Sequence, residues 1–115
     1  MQQAASGRVR VANEVIASIA AMAAREIDGV AGLDSAGARH VADWIKRDIA
    51  HHGVRVLVDE RRAIHLDVFL EVRSGAVILE VAERVQENVI EAVERMLELE
   101  VAETNVLVSS VSFGS

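Results

Sequence analysis

Residues 74–113 carry one long amphipathic helix followed by a strand, and this combination constrains the fold more than any other part of the chain. At about 100° per residue the apolar side chains of the helix fall on one stripe, and charged side chains fill the opposite face. Such a helix packs its apolar side on a sheet and exposes its charged side to solvent. The stripe consists of Ile78, Val81, Ala82, Val85, Val89, Ala92, Val93 and Met96.

The remaining elements follow from apolar periodicity and from glycines at the breaks. The predicted strands cover residues 8–11, 29–33, 54–58, 64–72 and 104–113, and the predicted helices cover residues 13–27, residues 39–49 and the long helix after Gly75. The strands at 54–58 and 64–72 alternate strongly and form an antiparallel pair at the centre of the sheet. The apolar phase of the last strand shifts near Ser109 and Ser110, and a β-bulge or a change of neighbour would account for this shift.

The element order β-α-β-α-β-β-α-β predicts an α+β fold: a two-layer domain with a mainly antiparallel sheet and helices packed on one face. The 115 residues fit a single domain, because no proline and no Gly/Ser-rich linker divides them. Residues 1–6 are expected to be a flexible amino terminus.

Composition excludes several classes of function. The absence of cysteine removes disulfides and thiol nucleophiles, and a formal charge of −6 opposes binding to nucleic acid or to an anionic lipid surface. Aromatic residues make up only 3% of the chain, so stacking platforms for bases are scarce. No signal peptide and no membrane-spanning run is recognised, and cytoplasmic residence is therefore expected.

Histidines and carboxylates are the candidate chemical groups. The histidine spacing fits no metal motif, so no metal site is predicted. No Gly-x-Ser-x-Gly elbow and no Gly-rich phosphate loop before a helix occurs in the sequence, so no catalytic residue and no cofactor is predicted. By alternation His65, Asp67 and Glu71 share one face of their strand, from which a general acid and base could be drawn. Because Phe69 lies among them and this face of a half-buried strand usually meets solvent, a solvated or partner-covered face is the favoured interpretation.

A second row on the long helix is a candidate contact surface. Leu79, Gln86, Ile90 and Leu97 lie beside the core stripe at intervals of seven, four and seven residues. A polar side chain in an apolar row can fix the register of an interface at some cost in stability. The alternative interpretation is that the row is the edge of a broad core stripe, covered by a neighbouring helix of the same domain.

The segment from Gly29 to Gly32 matches the Gly-x-x-Gly loop of one class of small RNA-binding domains. Its flanking residues, Asp28 and Asp34, are acidic where a phosphate-binding loop would carry Lys or Arg. A glycine that ends a helix before a short strand explains the same residues.

The ordered set of short motifs resembles the alkaline shock protein family, the small envelope-stress proteins of Gram-positive bacteria. The matching pieces cover about three-quarters of the chain: residues 7–11, 14–16, 19–20, 29–33, 53–56 and 64–68, Gly75 before residues 81–82, and residues 85–86 and 105–108. The chain departs from the family at Ala12, where Ser or Thr is usual, at Ser74, where an aromatic is usual, and near Glu98, where Gly is usual. In this family residues 34–52 correspond to a variable insert, here with a short helix.

The resemblance implies a non-enzymatic structural or scaffold protein of the cell-envelope stress response. It implies self-association into a homo-oligomer and binding to a small membrane-anchored protein, which would hold the chain at the inner face of the cell membrane. Contacts are expected from the Leu79 to Leu97 row and from the sheet face around His65, Asp67 and Phe69. The alternatives are a small RNA-binding module that uses the Gly29 to Gly32 loop, or a regulatory subunit of a cytoplasmic enzyme.

Overall fold

The computed structural model describes residues 10–34 and 50–113, which form two helices and four strands. The elements in chain order are α1 (Asn13–Arg25), β1 (Val30–Leu33), β2 (Val54–Val58), β3 (Ile64–Arg73), α2 (Ile78–Leu97) and β4 (Val101–Ser112). The predicted α+β class is confirmed. Of the predicted first strand, Arg10 and Val11 are not in a strand and the two preceding residues lie outside the described part, as does the predicted helix at 39–49.

Strand β3 lies at the centre of the sheet and pairs with the other three strands. Strands β2 and β1 run antiparallel to it along successive halves of one edge, and β4 runs parallel to it along the other. Phe69 marks the junction, because its backbone N–H donates to the Gly53 carbonyl at 3.0 Å and its carbonyl accepts from Asp34 N–H at 2.8 Å. The parallel pairing of β4 follows from its connection, since α2 crosses over one face and returns the chain in the direction of β3.

Both helices cover the same face of the sheet. The inward side chains of β3 are buried: Ile64, Leu66, Val68, Leu70 and Val72. Helix α2 places Val81, Val85, Val89 and Val93 over them, and the small alanine side chains of α1 complete the core. Asn88 ties the helices together, because its side-chain amide donates to the Ala23 carbonyl at 2.7 Å and to the Glu26 carboxylate at 3.0 Å.

The stripe predicted for α2 is correct in the middle of the helix and wrong at both ends. Ile78 is 44% exposed and Met96 is 55% exposed, because the terminal turns of this 20-residue helix extend past the core. The helix ends at Leu97, and the capping residue Glu98 adopts the left-handed conformation at φ 54°. The family that the sequence resembles usually has glycine near this position.

The phase shift in β4 is a β-bulge. Leu70 pairs with Val108 and Glu71 pairs with Ser110, so Ser109 is the extra residue. The Ser109 hydroxyl lies 2.6 Å from the Asp34 carboxylate and 3.3 Å from the Leu70 carbonyl, and it donates to these acceptors. The bulge thereby ties β4 to the end of β1 across β3.

Candidate interaction surfaces

The face of the sheet opposite the helices, here called the open face, carries the predicted contact residues His65, Asp67 and Phe69. The strand register sets their neighbours on either side. His65 lies between Leu57 of β2 and Glu103 of β4, Asp67 lies between Arg55 and Asn105, and Phe69 is paired with Leu107 of β4.

His65 bridges two carboxylates that come from different elements. Its Nε2 lies 2.8 Å from Asp59 Oδ2 in the turn after β2, and its Nδ1 lies 2.8 Å from Glu103 Oε1 on β4. The hydrogen bond to Asp59, and then that to Glu103, raises the pKa of His65 above its usual value. Conversely, the hydrogen bonds from His65 and from the backbone N–H of Ala63 lower the pKa of Asp59.

Asp67 is held from both sides. Arg55 donates to its Oδ2 from Nε at 2.9 Å and from a terminal nitrogen, and the Asn105 amide donates to its Oδ1 at 2.9 Å. The Asn105 amide also reaches Glu103 Oε2 at 3.5 Å. Asp59, His65, Glu103, Asn105, Asp67 and Arg55 therefore form one polar network across three strands.

This network holds strands together, and its carboxylates accept hydrogen bonds from within the network or from nearby backbone. The Asp59 carboxylate binds His65 and also accepts from the backbone N–H groups of Arg61 and Ala63 at 2.9 and 3.0 Å. The two His65 nitrogens face carboxylates on opposite sides of the ring, so one metal ion could not bind all three groups. Among residues 10–34 and 50–113 no group of three or more His, Cys, Asp or Glu side chains could hold a metal ion.

Phe69 points to the open face but is covered within this chain. Its exposed fraction is 2%, whereas Leu107 beside it is 40% exposed and Leu57 on β2 is 52% exposed. The apolar area that a partner could contact on this face is therefore offered by Leu57 and Leu107.

The Leu79 to Leu97 row divides into a structural part and an exposed part. Leu97 packs against the core, and the Gln86 amide donates to the Thr104 carbonyl at 2.7 Å. Leu66 is paired with Thr104 in the parallel ladder, and the backbone groups of Leu66 form the hydrogen bonds to β4. The carbonyl of Thr104 therefore points away from β3. Gln86 thus reaches over the outer edge of β4. Ile90 is half-buried, and Leu79 is 68% exposed.

Besides Leu79, three large apolar side chains at the start of α2 and the end of β4 are exposed. Val77 is 58% exposed, Ile78 is 44% exposed, and Phe113 at the end of β4 is 79% exposed. The hydrogen bond from Ser74 N–H to the Ser112 carbonyl, at 2.8 Å, sets the start of α2 beside the end of β4. We call Val77, Ile78, Leu79 and Phe113 the end patch. The sequence signal for these exposed residues is the run of Val77, Ile78 and Leu79 at the start of a helix, because only one of three consecutive side chains can face the core.

The Gly29 to Gly32 segment lacks the geometry of a phosphate-binding loop. Val30–Leu33 is a strand paired with β3, and the Gly29 carbonyl accepts from Arg73 N–H at 2.8 Å. Backbone groups of this segment are therefore committed to the sheet. The RNA-binding alternative receives no support from this arrangement.

The structure thus presents a small two-layer α+β domain with helices on one sheet face, a polar network on the other and exposed apolar side chains at one end. A comparison with family models matches residues 1–113 to the alkaline shock protein 23 family, described as having a cell-envelope-related function. The chain belongs to this family, and the resemblance seen in its sequence is confirmed.

Two proteins of Bacillus subtilis (strain 168), both uncharacterized, are similar to the chain. YqhY is 36% identical over 108 residues, which cover 93% of this chain and 78% of YqhY. YloU is 32% identical over 107 residues, which cover 91% of this chain and 88% of YloU. No solved structure matches with comparable significance. In the described part of the chain, neither helix is both long and apolar enough to cross a bilayer.

Proposed function

We propose that this chain is a non-enzymatic scaffold protein of the cell-envelope stress response, which self-associates and binds a membrane-anchored partner at the inner face of the membrane. The observation that carries the proposal is the family match over residues 1–113, with its cell-envelope-related function. The resemblance to envelope-stress proteins supplies the expectation of self-association and of an anchored partner.

The chemistry of the open face supports a binding role over a catalytic one. Each carboxylate of the polar network accepts hydrogen bonds from groups of the same network or from nearby backbone. A side chain held this way orients a surface but is poorly placed to take a proton from a substrate.

The end patch is the first surface we assign to self-association. Leu79 and Phe113 are the most exposed of its members, and burying such side chains against another copy contributes about 1.5–3 kcal/mol each. The open face, with Leu57 and Leu107 beside His65 and Asp67, is the second surface and is available to the anchored partner. A chain with two contact surfaces can form assemblies in which weak contacts add through multivalency.

A charge placed in the end patch tests the assignment. We expect Leu79→Glu to weaken self-association at least about tenfold, because each contact would then bury an unpaired carboxylate. Met22→Glu is the matched control, since Met22 is a 52% exposed apolar residue on α1. Sedimentation velocity over a range of concentrations gives the dissociation constants, and circular dichroism verifies the helix content.

Equal dissociation constants for Leu79→Glu and Met22→Glu would remove the end patch from the interface. Whether the unaltered chain self-associates is measured separately, and that measurement decides the scaffold proposal. Leu97 is unsuitable for such a test because it packs against the core, and a charge there would also destabilise the fold.

A further inference from the structure

At its position in the sheet, His65 can donate a hydrogen bond from each ring nitrogen only when both nitrogens are protonated. Asp59 and Glu103 lie 2.8 Å from opposite ring nitrogens, and an ionised carboxylate can only accept hydrogen bonds. A neutral imidazole has a single N–H, so one of its nitrogens would then turn a lone pair toward a carboxylate oxygen. That contact is repulsive and would open.

The charges around the ring favour the imidazolium. Asp59 faces it from the turn after β2, Glu103 faces it from β4, and Asp67 lies two residues along β3 on the same side. Arg55 on β2 is a cation on the same face, and Asp67 pairs with it. Both helices pack on the other face of the sheet, and Leu57 is the neighbour of His65 on β2.

We propose that His65 is a proton-dependent clasp that fastens the first half of β4 to the turn after β2, and that loss of its proton releases β4 at Glu103. Glu103 is the partner that leaves, because its side chain is 55% exposed and the Asp59 side chain is 33% exposed. Asp59 is also held by the backbone N–H groups of Arg61 and Ala63. The clasp is a property of the fold and does not rest on the scaffold function.

The direction of the pH dependence follows from the pKa shifts. The pKa of His65 is raised on folding, so its stabilisation is complete below the unfolded value of about 6.5 and is lost as the pH rises through the folded pKa. The pKa of Asp59 is lowered, so its contribution is complete above its unfolded value and is lost on acidification through the folded pKa. The clasp is therefore closed between the folded-state pKa of Asp59 and that of His65, and it opens as the pH rises past the raised pKa of His65.

Two readouts by nuclear magnetic resonance test the clasp. We expect the His65 ring to titrate above its usual value of about 6.5, and Glu103→Gln to lower this pKa. Glu100→Gln is the matched control, because it removes the same charge from an exposed residue before β4 and should leave the pKa unchanged. The second readout is amide exchange of residues 102–105, taken as a ratio to residues 110–112 so that base catalysis of exchange cancels.

In the unaltered chain this ratio should rise severalfold as the pH passes through the pKa of His65. It should stay constant in His65→Gln and in Glu103→Gln. If His65 titrates at or below its usual value, or if Glu103→Gln and Glu100→Gln shift its pKa equally, the clasp does not exist. Should His65→Gln fail to fold, Glu103→Gln still gives both readouts.

Discussion

Phe69→Ala is expected to lower the free energy of unfolding by about 3–5 kcal/mol, which is a large part of the stability of a domain this size. The ring is 2% exposed although it points to the face opposite the helices. Its backbone also marks the junction where β1 and β2 meet along β3. Removing the ring would leave a cavity at this junction, and urea unfolding measures the loss.

Leu107→Ala is the matched control, because Leu107 is paired with Phe69 on the same face but is 40% exposed. Its loss should cost clearly less, since part of its surface already meets water. If Phe69→Ala costs no more than Leu107→Ala, Phe69 contributes no more to the fold than its exposed neighbour. The ring would then be better assigned to a partner contact, as the strand pattern alone suggests.

Gly29→Ala is expected to be the second strongly destabilising change. Gly29 has φ 98°, and an added Cβ would lie 2.6 Å from Val81 Cγ2 and 3.3 Å from Ala76 Cβ. The left-handed conformation costs a non-glycine residue about 1–3 kcal/mol, and forcing α2 away adds about 1–3 kcal/mol. Thermal and urea unfolding should both show the loss.

Substitutions at two other glycines distinguish the cost of the backbone conformation from the steric cost of the added Cβ. Gly75 has φ 92° with nothing within 4 Å of an added Cβ, so Gly75→Ala should show the backbone cost alone. Gly32 lies outside the positive-φ region and also has nothing within 4 Å, so Gly32→Ala should stay within about 1 kcal/mol of the unaltered chain. A Gly29→Ala variant no less stable than Gly75→Ala would mean that α2 moves freely away from β1.

Local patterns predicted the elements well because they depend on near neighbours in sequence. The alternation in residues 64–72 placed the even-numbered side chains in the core, and all of them are buried. The shift near Ser109 predicted either a bulge or a change of neighbour, and the register shows a bulge. Ile78 and Met96 were assigned to the core because periodicity says which side of a helix faces the sheet but not where the sheet ends.

The candidate site was only partly predictable because its partners come from distant parts of the chain. His65 and Asp67 were placed on one face, but Glu103 lies 38 residues from His65 and meets it only through the parallel pairing of β4. The last strand was predicted to begin at Thr104, so Glu103 was left outside it. Similarly, alternation gives the direction of Phe69 but not the packing that covers it.

Self-association is the central claim, and the molar mass of the purified chain tests it most directly. Light scattering across a hundredfold range of protein concentration, at two salt levels, should show a mass that grows with concentration beyond that of a dimer. Because the chain has a formal charge of −6 and apolar contacts carry the proposed interface, added salt should not abolish this growth. A mass fixed at that of a monomer or a dimer at every concentration would contradict the scaffold account.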